Sequence, residues 1–451
     1  MPELTPDRDQ QFRHMREVAR EIFLTALKNA SIESAFARNL HCDRRVLRIG
    51  EDLHDLDAYN RVFVVSIGKA AHTMAAALES QVGSGLEGIV ASSVEAPQIR
   101  GYRYFRGGHP TPTAESVQAA SAILKSLDSL DSSSLAIFMI SGGGSSIVEK
   151  AIDEEISLDD LAATHRALVH SGAPIAEINA IRKHLSAVKG GRLAQTAYPA
   201  QQVSILVSDV PDNMPDALAS GPTMPDSTSI NDCERLAEKY DLVPQFPKSV
   251  ADLFHQHALE ETPKSDDPAF VRARWWTVLS NKIALDEAAV VASAAGFAVE
   301  VDNTCDDWPH DKAANYLLQR LGELRRKVSR VCLLSGGEVT VAVRNGGTGG
   351  RNQQFALACA EQVAGENITV LSAGTDGLDG NSSAAGAIVD GSTVARSRDV
   401  SAKAGAVASE DSIRKALDGF NAFPLLDALG DTLMTGPTGN NLRDLRVLLA
   451  Y

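Results

Sequence analysis

Between Phe12 and Leu27 apolar residues recur at steps of three and four: Phe12, Met15, Val18, Ala19, Ile22, Phe23, Ala26 and Leu27. That period gathers them on one face of an amphipathic helix, which then packs on a core. Further on, short unbroken apolar runs alternate with stretches of helical period. Val62–Ile67, Leu135–Ile140 and Val203–Ser208 predict strands, and Ala70–Gln81, Ala114–Leu127 and Leu158–Val169 predict helices. Alternation of this kind predicts an α/β sandwich on a largely parallel sheet. The segment Leu242 to Ala273 interrupts it with Pro244, Pro247, Pro263 and Pro268, and reads as an inter-domain connection. A second α/β region follows, with strands at Trp275–Leu279, Val299–Val301, Val331–Leu334, Thr340–Val343 and Ile368–Leu371, and a helix Lys282–Ala295 capped by Asn281. The expected division is a larger N-terminal domain over 1–245, a linker over 246–273 and a smaller C-terminal domain over 274–451, whose extreme tail is free to pack back on the first.

Four of the apolar runs stop abruptly at clusters of small residues. Val62–Ile67 ends at Gly68-Lys69, Leu135–Ile140 at Ser141-Gly142-Gly143-Gly144-Ser145-Ser146, Val331–Leu334 at Ser335-Gly336-Gly337-Glu338, and Ile368–Leu371 at Ser372-Ala373-Gly374-Thr375-Asp376-Gly377. A glycine-rich turn after a buried strand leaves backbone N–H groups uncovered, and a following helix points its positive end at the same spot. Several such turns, with Lys69 and Arg351 beside them, predict a site for a phosphorylated ligand. Ser141 to Ser146 offers a concave row of donors. Lys69 is placed to screen charge on a phosphoryl group, although the Walker spacing is absent. Arg182 and Lys189 concentrate cations, and Arg351 follows Gly349-Gly350 at the start of a helix predicted over Asn352–Ala364. Asp209, at the end of the strand Val203–Val207, and Asp376, in a glycine turn, are candidate Mg²⁺ ligands. Among the histidines only His109 stands out, in the string Gly108-His109-Pro110-Thr111-Pro112.

Composition narrows the class. The chain of 451 residues is 44% hydrophobic and 22% charged, ordinary for a globular protein. A net charge of −15 repels phosphate polymers, so a nucleic-acid partner is not expected. Five cysteines, none at C-x-x-C spacing, argue against a disulfide framework or a zinc site. No apolar window is long enough for a membrane span, and the polar start of the chain carries no signal core. The chain therefore reads as cytoplasmic.

Many of these strings together resemble the glycerate 2-kinase family, whose C-terminal region is the MOFRL domain. The matching strings are Ser66-Ile67-Gly68-Lys69-Ala70-Ala71, Gly108-His109-Pro110, Ser141 to Ser146, Asn179 to Ser186, Lys189-Gly190-Gly191-Arg192-Leu193, Ser208-Asp209-Val210, Ala219 to Thr223, Ser335 to Val341, Gly349-Gly350-Arg351-Asn352-Gln353, Gly374 to Gly380, Ala385-Gly386-Ala387 and Thr435 to Asn441. They stand in family order. The resemblance implies a two-domain α/β protein, a larger Rossmann-like αβα sandwich plus a smaller MOFRL-type α/β domain, with the active site in the cleft between them. It implies transfer of phosphate from ATP, with Mg²⁺, to the 2-hydroxyl of D-glycerate. Lys69 and Arg351 look like the family's catalytic cations. Ser66, Gly68, the Ser141–Ser146 row, Arg182, Lys189, Gly350 and Asn352 are the expected phosphate and substrate contacts. Val210-Pro211-Asp212-Asn213 departs from the family pattern, which has a glycine before the acidic pair. The resemblance leaves room for a homodimer. Two other readings stay open on residues alone: an NAD(P)H-dependent hydroxypyruvate reductase, disfavoured because no strand–G-x-G-x-x-G–helix unit is present, and a non-catalytic sugar-phosphate-binding protein.

Overall fold

The computed structural model describes residues 6–343, 346–403 and 412–451. It divides into two compact units, Ile32–Val278 and a second made of Met1–Ser31 with Leu279–Tyr451.

The Ile32–Val278 unit is built on strands β1 (Arg61–Ile67), β2 (Glu87–Ser92), β3 (Tyr102–Arg106), β4 (Ser134–Ser141), β5 (Gln201–Val207) and β6 (Ala273–Leu279). Their order across the sheet is β3-β2-β1-β4-β5-β6, and the pairings from β3 through β5 are all parallel. This is the doubly wound order that reverses direction between β1 and β4. Phe63, Val65 and Ile67 share one face with Ala136, Phe138 and Ile140, the period-2 set expected of a pleated strand, and meet Ala119, Ala120, Ile123 and Leu127 of the helix Ala114–Leu127. Helix Ala71–Val82 packs against β1, β2 and β4. A three-stranded antiparallel sheet, Leu40–Asp43, Val46–Ile49 and Asp52–Asp55, belongs to the same unit.

The second unit carries β7 (Ala298–Val301), β8 (Val331–Gly337), β9 (Ile368–Gly374), β10 (Gly386–Asp390), β11 (Thr432–Leu433) and β12 (Asp444–Ala450), in the order β7-β8-β12-β9-β10-β11. Cys332, Leu334, Leu371, Val447 and Leu449 face Met15, Ile22, Phe23, Leu285 and Ala288 on one side. Val331, Leu333, Val370 and Leu448 face Leu317, Leu321, Phe355 and Leu357 on the other. Two apolar faces make this a second αβα sandwich.

Three expectations about organisation are corrected. The N-terminal helix, Pro6–Asn29, belongs with residues 279–451, because its apolar stripe covers that sheet; each large side chain so buried contributes roughly 1.5–3 kcal/mol. Residues 246–273 are not a linker. Val250, Ala251 and Phe254 of helix Lys248–His255 close a helical cluster with Leu161, Leu168, Ile178 and Leu236, and the prolines mark turns inside the unit. The C-terminal tail is the central strand β12, paired antiparallel to both β8 and β9. Thr340–Val343 is also not a strand: only Thr340 pairs, in a single bridge to Pro309. Asn281 opens the helix Asn281–Ala294 rather than capping it, and its side chain donates to the carbonyls of Leu442 (2.6 Å) and Asp444 (2.9 Å). Among the described residues no helix is long and apolar enough to cross a membrane.

Candidate active site

In the Ile32–Val278 unit the carboxyl ends of β1 and β4 lie at the point where strand order reverses, the usual ligand position in an open α/β sheet. The two turns there are bound to each other. The amide of Gly68 donates to Ala91 O (3.1 Å), that of Lys69 to Gly142 O (2.9 Å) and that of Ala70 to Ser141 Oγ (3.1 Å). Gly68 has φ +119°, and a Cβ there would lie 2.5 Å from Ser141 O, so only glycine permits the approach. The expectation of uncovered amides is therefore corrected for Gly68. It is corrected for three hydroxyls too. Ser66 Oγ donates to Ala71 O (2.8 Å), Ser141 Oγ to Ile67 O (3.3 Å), and Ser146 Oγ to Gly143 O (3.2 Å). All three serines are buried and bind backbone, because a buried hydroxyl at a strand end must find a partner.

Among the described residues no backbone carbonyl outside the helices and strands accepts from the amides of Gly142, Gly143, Gly144 and Ser145, and four side chains gather around them. The Asp209 carboxylate lies against Gly142, where an added Cβ would be 1.9 Å from Oδ2. The Lys69 stem and the His109 ring meet at Gly143: a Cβ there would be 3.2 Å from Lys69 Cγ and 2.9 Å from His109 Cδ2. Arg182 reaches Ser145 Oγ with Nη2 (3.4 Å) and Asn179 Oδ1 with Nη1 (3.3 Å), while its buried Nε has no partner. Lys69 itself is exposed. Partial burial and the charge of Lys69 hold the His109 imidazole below its ordinary range, so it is neutral at neutral pH. Behind the row, the turn that follows Leu218 is strained: Ala219 and Ser220 have φ +50° and +60°. Lys183 braces it through ion pairs of 3.1 Å to both Asp216 and Asp226.

Lys189 does not face a ligand. It is 1% exposed and paired with Glu149, which also accepts from Ser186 Oγ (2.6 Å). Burial pushes its ammonium down to about 8. Its role is to neutralise a buried carboxylate, which the sequence could not show because Glu149 lies in a different segment.

In the second unit β12 runs opposite to its neighbours, so Asp444 stands level with Gly337 and Gly374 at the carboxyl ends of β8 and β9. Arg351, first residue of helix Arg351–Gln362, donates to both carboxylate oxygens of Asp444 through Nε (2.7 Å) and Nη2 (2.9 Å), and pairs with Glu338 (2.8 Å). The fully buried Arg446 holds the same Asp444 from the other side (3.3 Å). Arg443 pairs with Asp306 through two bonds of 2.6 Å. Arg351 is thus a rigidly positioned cation, not a free one.

The helix start beside it is already occupied by an anion. Asp379 accepts from the amides of Asn352 (3.1 Å) and Gln353 (2.9 Å) and from Gln353 Nε2 (3.0 Å). It fills the space a Cβ on Gly350 would need, 2.2 Å from Oδ1. The Asn352 side chain is buried, accepting from Ser372 Oγ (2.6 Å). Gly350 and Asn352 are therefore structural here, corrected from ligand contacts, because the carboxylate takes the place expected for a phosphate. Asp376 is exposed, with Oδ1 accepting from Leu378 N (3.1 Å). Among the described residues no group of three or more His, Cys, Asp or Glu forms a ready metal site.

Burial, with the charge of Asp444 nearby, raises Asp379 to about 6 against its ordinary 3.8. Between those values the folded chain binds more protons than the unfolded one, so this carboxylate's contribution to stability falls as pH rises through that window. Asp379→Asn is expected to gain in melting temperature relative to the parent as pH goes from about 4 to about 7. A relative loss over the same range would show that the helix start stabilises the anion instead.

A family model described as a domain of unknown function, DUF4147, matches residues 18–255, and the MOFRL family model matches residues 331–444. The D-glycerate 2-kinase of Thermotoga maritima is 36% identical over 398 residues, covering 86% of this chain and 90% of its own. A relative from Agrobacterium vitis, which carries the provisional name hydroxypyruvate reductase, is 34% identical over 446 residues, covering 96% of this chain and 94% of its own. The crystal structure of a glycerate kinase from Thermotoga maritima superimposes with a TM-score of 0.82 at 32% identity, over 97% of this chain and all of that one (100%). By its doubly wound unit, its MOFRL region and these relatives, the chain belongs to the glycerate 2-kinase family.

Proposed function

We propose that this protein is a cytoplasmic kinase that transfers the γ-phosphoryl group of ATP to the 2-hydroxyl of D-glycerate, giving 2-phosphoglycerate, with Mg²⁺ as the metal and no nucleic-acid or membrane partner. The observation that carries this reading is the meeting of Lys69, Arg182, Asp209 and the Gly142–Ser145 turn at the switch point of the sheet. The hydroxyl oxygen attacks the γ-phosphorus as the bond to the bridging oxygen breaks, and the barrier is lowered by position and by charge opposite the equatorial oxygens. Lys69 and the amide row supply that charge. His109, neutral beside Lys69, is the candidate acceptor for the hydroxyl proton.

A half-buried carboxylate suits Mg²⁺, which keeps several waters and takes its other ligands from the phosphates. Asp209 would hold the ion in this unit; Asp376, exposed in the second unit, is a separate candidate metal ligand. Held there, Mg²⁺ would supply positive charge to the transferring phosphate. Arg351, positioned by Asp444 and Glu338, is proposed as the second catalytic cation.

The dinucleotide reductase reading is disfavoured by the β1 turn. A pyrophosphate rests on amides at that position, and those of Gly68, Lys69 and Ala70 are already bonded within the protein. Purified protein with Mg·ATP is expected to release ADP only when D-glycerate is added, and to leave NADH unchanged with hydroxypyruvate. NADH consumption without D-glycerate-dependent ADP release would overturn the proposal.

A further inference from the structure

Beyond the carboxyl ends of β2 and β3 the Ile32–Val278 unit has a hollow of about 240 Å³, lined by residues that include His72, Val94, Glu95, Ala96, Tyr104 and Arg106. We propose that this hollow is the seat of an adenine nucleoside, whose phosphates lead from it towards Lys69; the proposal rests on the kinase reading for the identity of the nucleotide as ATP.

Three features support a purine. In a doubly wound sheet the nucleoside half of a nucleotide lies over β1, β2 and β3, on one side of the switch point. The hollow occupies that side, and Ser92 Oγ at the end of β2 donates to Lys69 O (3.4 Å), tying it to the lysine turn. Its volume is below the roughly 300–1,000 Å³ of clefts for drug-sized ligands, which suits one ring system with the rest of the ligand outside.

The second feature is a flat aromatic wall. The rings of His72 and Tyr104 stack at 5.3 Å with an interplanar angle of 12°. The Tyr104 hydroxyl is fixed by the amide of Ile99 (2.7 Å). His72 Nε2 lies 3.0 Å from Val94 O. A carbonyl can only accept, so Nε2 carries the proton and Nδ1 is left as an acceptor. Nδ1 is buried and has no partner.

The third is an acid where the ribose is expected. Glu95 lies just past the end of β2, the position from which nucleotide folds of this order bind ribose hydroxyls. Arg106 Nη1 holds its Oε1 at 2.6 Å. Adenosine is common to ATP and to the nicotinamide dinucleotides, so the test carries both.

The full chain is titrated with N-methylanthraniloyl-ADP, unlabelled ADP and NADH. Ala96→Phe, which fills the hollow without removing a hydrogen bond, is expected to raise the Kd for ADP about tenfold or more and the KM for ATP in step, with the KM for D-glycerate and the melting temperature unchanged. In a second variant, Glu95→Gln, the preference of the parent for ADP over 2′-deoxy-ADP is expected to shrink. Unchanged Kd and KM for nucleotide in both variants, in a protein that still phosphorylates D-glycerate, would overturn the hollow and leave the kinase standing. Binding of NADH weakened by Ala96→Phe, in a protein that does not turn over D-glycerate, would support the hollow and remove the kinase.

Discussion

Lys69→Ala is expected to lower kcat/KM for D-glycerate by roughly 10²–10⁴, or about 3–5 kcal/mol of transition-state stabilisation, with little change in melting temperature. The separation follows from the structure. What holds the β1 turn is the Lys69 amide on Gly142 O, which alanine keeps. What is lost is an exposed ammonium whose stem lies against Gly143. Lys69→Arg should recover part of the rate, since the charge returns with a different reach and shape. Near-normal turnover in Lys69→Ala, measured by ADP release at saturating Mg·ATP, would remove this lysine from the mechanism.

Lys189→Met is expected to act in the opposite way, through stability first. It leaves Glu149, 1% exposed, without its ammonium partner. His165 stands 4.0 Å away, but burial and the charge of Arg182, both kept in the variant, hold its imidazole well below the ordinary range. Breaking such a buried pair on one side costs about 3–5 kcal/mol, a fall in melting temperature of roughly 6–20 °C for a unit of this size. The double variant Glu149→Gln with Lys189→Met should regain most of that loss, because both charges leave together. Equal melting temperatures for the single variant and the parent would show that Lys189 is not the counter-ion of this core.

How far the sequence led differs between layers of the structure. The strands ending in glycine turns were legible because a buried parallel strand is an unbroken apolar run, and glycine is what a close turn demands: Val62–Ile67 and Leu135–Ile140 differ from β1 and β4 only at the margins. The amphipathic stripe from Phe12 to Leu27 was legible as a helix, but a stripe does not say which sheet it covers. Nor does a stretch rich in proline announce that Phe254 fills a core. At the site, Lys69, Arg182, Asp209 and the Gly142–Ser145 amides were named by type and position and do meet in one place. Ser66, Ser141, Ser146, Lys189, Gly350 and Asn352 were named by the same logic and are spent inside the protein, on Ala71 O, Ile67 O, Gly143 O, Glu149, Asp379 and Ser372. A glycine-rich string looks the same whether its donors serve a ligand or a carboxylate such as Asp379, because the partner arrives from a distant segment. Asp444 was missed for that reason: it reads as the polar start of an apolar run, and only the antiparallel insertion of β12 brings it to Arg351.

Phosphoryl transfer to one particular oxygen can be observed in the product. With D-glycerate and Mg·ATP, ³¹P NMR of the reaction mixture is predicted to show a new phosphate monoester split into a doublet by the single proton on C2, in proportion to ADP formed. A monoester on C3, or no phosphorylated product while NADH reduces hydroxypyruvate, would contradict the reading of this protein as a glycerate 2-kinase.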